Sequence, residues 1–311
     1  MKKKVIAIVG PTAVGKTRLS IEIAKRFNGE IISGDSMQVY QKMDIGTAKI
    51  KPEEREGIPH YMIDTHAPDA SFSVADFQQH VQTLIDYITA KGKLPIIAGG
   101  SGLYIQAALF QYNFSPQKRN EEVTNRLEQE LEDKGIDTLY ERLNKIDPQQ
   151  AEKIHPNNHR RVIRALELYE TTGTTMSSHM EEQRSESPYD FKLIGLEMER
   201  PLLYERINQR VDMMMNQGLV HEVKSLYDGG LASCQSMQGI GYKELVAYFN
   251  QEYSLVEAID LIKRNSRRYA KRQYTWFKNK MDVDWYQVEP ESIDEKFRMI
   301  LEDLAGFLKD K

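Results

Sequence analysis

The chain has 311 residues, with 42 Lys and Arg against 46 Asp and Glu, a formal net charge of −4, and 40% hydrophobic and 28% charged residues. That is ordinary globular composition with enough apolar residues for a sizeable core, and an acidic total argues against a nucleic-acid partner unless the basic residues cluster. The single cysteine, Cys234, excludes an internal disulfide framework and a multi-cysteine zinc site, and suits a reducing cytoplasm. No apolar stretch is long enough to span a bilayer. The lead Met1–Gly10 has a charged start and a short apolar run, but it ends in a Gly-rich loop rather than a cleavage site. It reads as a first strand and not as a signal peptide.

Val5–Val9 is that strand, a β-branched run with no polar alternation. Thr17–Phe27 follows as a helix carrying Leu19, Ile23 and Phe27 on one face. Glu30–Ser33 is a second short strand, broken by Gly34-Asp35-Ser36. Ser73-Val74-Ala75-Asp76 has the form of a helix start, and that helix extends to about Lys91. Leu94–Ala98 is an apolar strand closed by Gly99-Gly100-Ser101-Gly102, with a helix from about Leu103. Such alternation predicts a parallel sheet with helices on both faces. From about Asn113 to Asp190 the chain turns helical, polar and charged, punctuated by Pro148 and Pro156, with loops at Thr171–Thr175 and Arg184–Tyr189. Phe191–Met198 reads as a strand again, and the C-terminal third is mostly helical, broken at Gly229-Gly230 and Gly239-Ile240-Gly241. The expected organisation is a core of residues 1–112 and 191–311 with a helical insertion at 113–190.

Gly10-Pro11-Thr12-Ala13-Val14-Gly15-Lys16-Thr17 fits the G-x-x-x-x-G-K-[ST] phosphate loop, placed after a strand and before a helix as its mechanism requires. Backbone N–H groups and a helix N-terminus cradle the phosphates, Lys16 adds a full charge, and the Thr17 hydroxyl can ligate Mg²⁺. The fold class expected is α/β, a P-loop nucleoside-triphosphatase-like parallel-sheet core with the helical insertion domain. The motif specifies a polyphosphate or diphosphate and does not specify ATP. A P-loop NTPase normally ends a second apolar strand in an Asp for the metal, whereas Leu94–Gly100 ends in glycine. A kinase taking its carboxylate from Asp35 stays open at this point. Asp35 and Ser101 follow two different strands, at the carboxyl edge where parallel sheets bind ligands. Asp35 can accept a proton from a nucleophile, and Ser101 can donate to a phosphate oxygen. Both residue types are equally common as caps, and spacing alone does not choose.

Gly10–Thr17 with Gly34-Asp35-Ser36-Met37-Gln38-Val39-Tyr40 resembles the bacterial tRNA dimethylallyltransferase family. So do Asp44-Ile45-Gly46-Thr47-Ala48-Lys49, Gly99-Gly100-Ser101-Gly102-Leu103-Tyr104, Arg160-Arg161-Val162-Ile163-Arg164, Gly239-Ile240-Gly241-Tyr242 and Tyr269-Ala270-Lys271-Arg272-Gln273. The resemblance runs from Val5 to about Trp285. It implies transfer of a prenyl group from dimethylallyl diphosphate to the exocyclic amine of the adenosine 3′ to the anticodon, with Mg²⁺ assisting the departure of pyrophosphate. It makes Asp35 the proton acceptor, Ser101 its catalytic neighbour, and Arg210 a clamp on the phosphates held by Gly10–Thr17. An exposed helix arginine is the other reading of Arg210. It also implies a tRNA anticodon stem-loop bound by Asp35, Ser36, Met37, Gln38, Ser101, Thr124, Arg161, Gln238, Gly239, Gly241, Tyr242, Arg268 and Lys271. In this reading Gln38 offers a hydrogen bond to a base edge and Tyr242 a stacking ring. A monomer in the cytoplasm, with no membrane partner, is expected.

The basic cluster that the net charge conceals lies between Lys263 and Lys280, where Arg264, Arg267, Arg268, Lys271, Arg272 and Lys278 occur without any acid. Arg264, Arg268, Lys271 and Thr275 share one helical face, and Tyr269, Tyr274 and Trp276 are interleaved. Three departures from the family pattern stand out. Ser101 replaces the more usual Thr, Asn158-His159 stands where Asp-Pro is more usual, and Thr124 stands where an arginine is common, with Arg126 nearby. The rival readings are a small-molecule kinase, a prenyltransferase acting on free adenine nucleotides, and an RNA-binding module with an idle P-loop.

Overall fold

The computed structural model describes residues 2–110, 112, 114, 120–181 and 186–309. The chain folds into two units, one made of Met1–Leu109 with Ser187–Lys311 and the other of Phe110–Glu186. The first unit begins with β1 (Lys3–Val9), α1 (Lys16–Phe27), β2 (Gly29–Ser33), β3 (His60–Tyr61), α2 (Val74–Ala90), β4 (Leu94–Ala98) and α3 (Gly102–Phe110). The second holds α4 (Glu121–Ile146), α5 (Pro148–Lys153), α6 (His159–Thr172) and α7 (Met176–Glu181). The first resumes with β5 (Tyr189–Glu197), α8 (Arg200–Asn216), α9 (Leu219–Asp228), α10 (Tyr242–Phe249), α11 (Leu255–Lys280), β6 (Asp284–Gln287) and α12 (Ile293–Lys309).

All six strands are parallel, in the order β3-β2-β4-β1-β5-β6. β1 sits inside the sheet, paired to β4 through Ile6 and Ile96 and to β5 along its whole length. Helices cover it, which is why its sequence is apolar without alternation. Ile6, Ile8, Leu19, Ile23, Ile96, Leu196 and Phe297 are fully buried together, each contributing roughly 1.5–3 kcal/mol by removal from water. Ser73 caps α2, accepting from Asp76 N at 3.2 Å while Asp76 Oδ2 accepts from Ser73 N at 2.9 Å, as the sequence predicts. α11 starts with the same reciprocal device between Ser254 and Glu257.

Two strands lie outside what the sequence predicts. β6 is four polar and aromatic residues at one edge, and β3 is two residues at the other. β3 is held by more than its ladder. The Tyr61 hydroxyl donates to Glu30 Oε2 at 2.7 Å, and Lys91 and Lys93 both donate to Glu30 Oε1 at 2.6 Å. Glu30 has no exposed surface.

In the second unit, α4 is two helices meeting at Gly135, which adopts φ 78°. Its core is Leu127, Leu139, Leu143, Ala151, Ile154, Val162, Ile163 and Leu166. Asp147 begins α5, accepting from Gln150 N at 3.1 Å, and its other oxygen accepts from Ser177 N at 2.9 Å. The loop expected at Thr171–Thr175 is partly helical, because α6 runs to Thr172 before Gly173 turns left-handed. Asn113, the expected start of the insertion, lies outside the described residues, as do Arg184 and Ser185 of the second expected loop. No described helix is long and apolar enough to cross a membrane.

Burial opposes ionisation of Glu30, but hydrogen bonds from Lys91, Lys93 and Tyr61 outweigh it and hold the carboxyl at about 2. A folded-state pKa below the unfolded one gives stability that is present above the unfolded value and lost as pH falls toward the folded one. Glu30→Gln should therefore lower Tm near neutral pH, with the gap to the parent protein narrowing as pH drops below about 4.5. Calorimetry across that range checks it, and a gap independent of pH would refute the charge-based account.

Candidate active site

Three strand ends converge at the carboxyl edge of the sheet. β1 runs into the phosphate loop, β2 into Gly34-Asp35-Ser36, and β4 into Gly99-Gly100-Ser101. Gly34 N donates to Ala98 O at 2.8 Å, Gly99 N to Ile8 O at 3.0 Å, and Ser101 N to Gly34 O at 3.3 Å. These bonds extend the ladder past the strands and bring the phosphate loop, Asp35 and Ser101 together.

The phosphate loop, Asp35 and the Gly99-Gly100 turn surround one cavity of about 390 Å³, while Ser101 lies buried behind that turn and does not line it. Thr12, Lys16 and Thr17 line it with Asp35, Ser36, Met37 and Gln38, Arg210 of α8, and Gln238–Lys243. Ile207, Val211, Met214, Leu219, Ile240 and Ile262 add an apolar wall. Of the residues the sequence singles out, Thr12, Lys16, Thr17 and Arg210 thus share one space with Asp35–Gln38 and Gln238–Tyr242, whereas Ser101, Thr124, Arg161, Arg268 and Lys271 do not line it. Arg210 is not a solvated helix arginine, because its Nη1 donates to Thr12 Oγ1 at 3.2 Å and it faces the cavity. Arg206, one turn earlier, donates from Nε to Ala13 O at 3.1 Å. Ala13 has φ 67°, a left-handed conformation that an L residue keeps only when its surroundings impose it.

The three charges perturb one another. Burial and the neighbouring Arg210 lower the Lys16 ammonium to about 7, against the opposing effect of Asp35. Burial likewise raises the Asp35 carboxyl, opposed by the Met37 N–H, Lys16 and Arg210. Lys16 Nζ donates to Gly10 O at 3.0 Å and Pro11 O at 2.6 Å. Asp35 Oδ1 accepts from Met37 N at 2.8 Å, which fixes the carboxyl where it lines the cavity. Ser101 is not a side-chain cap of α3. Its Oγ accepts from Ser36 N at 3.1 Å, which fixes the turn beyond Asp35.

Several expected contacts are corrected. Gln38 is already engaged, accepting from Ser33 Oγ at 2.8 Å and donating to Thr47 O at 3.1 Å, so its amide braces the wall rather than reading a base. Tyr242 is 1% exposed and donates its hydroxyl to Glu222 at 2.6 Å, so its ring is not a stacking platform. Thr124 is 6% exposed within α4 and offers no surface to RNA, and Arg126 pairs with Glu170. Arg161 is exposed in the first turn of α6. Gln238 is exposed and lines the cavity, as do Gly239 and Gly241 beside it.

On α11 the cluster divides. Lys263 pairs with Asp212 at 2.6 Å, Lys278 with Glu197 at 2.7 Å, and Arg267 donates to Asn208 at 2.6 Å. Arg264, Arg268 and Lys271 are exposed and have no ion pair among the described residues. Tyr274 is turned to the backbone of Met198, whose N–H donates to its hydroxyl at 2.9 Å, and the Trp276 ring lies against Gly102. Tyr269 lines the cavity, its hydroxyl held by burial at about 12.

Gln273 carries no signal in the sequence beyond its place in a matched block. It is 5% exposed, accepts from Thr12 N at 3.0 Å and donates to Gly100 O at 3.1 Å. It ties the phosphate loop to the Ser101 turn. A Cβ at Gly100 would lie 1.9 Å from its Nε2, so only glycine admits the clamp.

A phosphate loop at the edge of a parallel sheet, sharing its cavity with a carboxylate and an apolar wall, defines an α/β protein of the P-loop class whose ligand has both an anionic and an apolar part. The chain belongs to the IPP transferase family, whose model matches residues 38–280. It is 60% identical over 311 residues to the tRNA dimethylallyltransferase of Oceanobacillus iheyensis, covering 100% of this chain and 99% of that one. It is 56% identical over 310 residues to that of Bacillus cytotoxicus, covering 100% and 97%. The crystal structure of the full-length tRNA isopentenylpyrophosphate transferase from Bacillus halodurans is 51% identical, with TM-score 0.75 over 99% of this chain and 98% of that one. A eukaryotic dimethylallyltransferase solved acting on tRNA is 33% identical, with TM-score 0.83 over 98% of this chain and 80% of that one.

Gln273→Met keeps the volume but leaves Thr12 N–H and Gly100 C=O unpaired, at a cost of about 1–3 kcal/mol for each buried group. A Tm lower by about 4 °C or more is expected, together with weaker binding of inorganic pyrophosphate by titration calorimetry. Unchanged values of both would mean that Gln273 clamps nothing.

Proposed function

We propose that this protein transfers the dimethylallyl group of dimethylallyl diphosphate to the exocyclic amine of the adenosine 3′ to the anticodon in tRNA, releasing pyrophosphate. The observation that carries this reading is the single cavity in which Lys16, Thr17 and Arg210 meet Asp35 and an apolar wall. A prenyl diphosphate matches both chemistries, anionic and apolar, in one molecule, as the kinship to tRNA dimethylallyltransferases supports.

In this reading the diphosphate lies in the Gly10–Thr17 loop under Lys16 and Arg210, and the prenyl tail rests on Ile207, Val211 and Met214. The adenine amine attacks the allylic carbon, the carbon–oxygen bond breaks, and its electron pair leaves on pyrophosphate. The amine is a poor nucleophile, so the proton it sheds goes to Asp35, whose burial makes it a stronger base than an ordinary carboxylate. Cations and loop N–H groups stabilise charge that grows only as pyrophosphate departs, so they lower the barrier instead of merely tightening binding. A bound diphosphate also favours the charged form of Lys16, which is otherwise reduced by burial. Ser101 keeps Ser36 and hence the Asp35 turn in place.

Mg²⁺ fits these residues. Thr17 lines the cavity beside Lys16, so its hydroxyl would be the protein ligand, and Mg²⁺ needs few protein ligands when diphosphate oxygens and waters complete its shell. Bound there, it would neutralise leaving-group charge. The tRNA partner is proposed to be the anticodon stem-loop. Its target base is flipped out toward Asp35, and its backbone lies along Arg264, Arg268 and Lys271, with Arg161 a further phosphate contact. A cytoplasmic monomer is proposed as the working form.

Labelled dimethylallyl diphosphate with Mg²⁺ and either tRNA, AMP or no acceptor tests the activity. Label entering tRNA supports it, and label entering only AMP, or ATP turnover without transfer, overturns it. Asp35→Asn should cut kcat roughly a hundredfold or more with tRNA binding little changed, and near-normal turnover would remove Asp35 from the chemistry. The acid limb of the parent's pH–kcat profile should lie above the ordinary carboxylate range, the direction in which burial moves Asp35. Arg268→Glu should reduce the salt slope of tRNA affinity by about one; an unaltered slope would place the backbone footprint elsewhere.

A further inference from the structure

The segment Met43–Lys49 contains no regular secondary structure, yet Gly46, Thr47 and Ala48 line the cavity. What holds it comes from α9. The Glu222 carboxylate accepts three successive backbone N–H groups, from Asp44 at 2.8 Å and Ile45 at 2.7 Å on Oε2 and from Gly46 at 3.1 Å on Oε1. The Tyr242 hydroxyl donates to the same Oε1 at 2.6 Å. Consecutive N–H groups pointing at one centre form a concave site for an anion, and here a side chain of the protein itself fills it. Packing completes the lock, because a Cβ at Gly46 would lie 2.5 Å from the Tyr242 ring.

The consequence travels along the chain to the acceptor residues. Once Gly46 is fixed, Thr47 O receives the Gln38 amide at 3.1 Å, and Gln38 Oε1 receives Ser33 Oγ at 2.8 Å. Asp35 N in turn donates to Ser33 Oγ at 3.4 Å. Lys49 closes the segment from the other end, donating to Tyr40 O and to Asp64, each at 2.5 Å, and to Asp44 at 2.8 Å. The phosphate loop has different supports, namely Gln273, Arg206 and Arg210.

We propose that Glu222 is a positioning residue for the acceptor: its carboxylate fixes the Asp44–Ala48 wall and, through Gln38, the Ser36–Gln38 turn on which the base docks, without supporting the diphosphate cradle. This rests on the prenyl-transfer reading above. Its distinguishing consequence is a split between the two substrates. Losing hydrogen bonds to a charged group costs about 1.5–3 kcal/mol, so Glu222→Ala should raise KM for tRNA about tenfold or more. KM for dimethylallyl diphosphate should stay within about twofold, because none of the phosphate-loop supports is touched.

Steady-state kinetics with each substrate varied in turn, on folded protein, decide the matter. Glu222→Asp should recover part of the loss, since a shorter carboxylate still accepts some of the N–H groups. If the alanine variant does not fold, Glu222→Gln serves instead. Its amide keeps the volume but presents an NH₂ to donors, and an acceptor KM about threefold higher is expected. Two KM values rising together alongside a lower Tm, or neither moving, would reduce Glu222 to a general structural residue and overturn the inference. Parent protein that labels no tRNA would sink the functional reading and this role with it. Labelled tRNA with an unmoved acceptor KM would sink only the role of Glu222.

Discussion

The site depends on how closely the ends of β1, β2 and β4 approach one another. Gly34 and Gly99 are in direct backbone contact, with no room for a Cβ at Gly99, which would lie 2.3 Å from Gly34 C. The ladder bonds continue through this contact, from Gly99 N to Ile8 O and from Ser101 N to Gly34 O. In a parallel sheet every strand delivers its next residue to the same edge, so functional groups far apart in the chain arrive together. Here that geometry places the phosphate loop, Asp35 and the Gly99-Gly100 turn around one cavity, with Ser101 bracing the Asp35 turn from behind.

Helices from the C-terminal third then complete it. α8 supplies Arg206 and Arg210 one turn apart, one to a loop carbonyl and one to Thr12 Oγ1. α11 supplies Gln273, whose amide bridges the phosphate loop and the Gly100 turn. The result concentrates charge under cover. Burial disfavours the charged forms of Lys16, Arg210 and Asp35, and the opposite charge across the cavity partly offsets it for each. Titratable groups perturbed by burial and by a specific charge partner, facing one cavity, are the pattern expected of a functional site.

The same α11 shows how a chain with net charge −4 can serve a polyanion. Lys263, Arg267 and Lys278 are tied to neighbouring helices or to β5 and stabilise the fold locally. Arg264, Arg268 and Lys271, on another face of the helix, remain exposed. Association with a phosphate backbone responds to that local arrangement and to counterion release, not to the sum over the chain.

The sequence by itself determined the α/β alternation, the helical character of the middle segment, the phosphate loop, and the candidacy of Asp35. Each rests on local information: β-branched runs, the Ser73 cap, and a glycine-lysine spacing that works only between a strand and a helix. The short edge strands β3 and β6 escaped it because two to four mostly polar residues have no periodicity to read, and the fixing of β3 by Glu30 depends on lysines sixty residues away. Only the tertiary structure decided that Arg210 faces the cavity, that Gln38 and Tyr242 are consumed by internal hydrogen bonds, and that Gln273 and Glu222 hold the loops. A polar side chain's role is set by which partners reach it first. Those partners come from segments distant in sequence, so no local pattern can distinguish a residue offered to a ligand from one already satisfied.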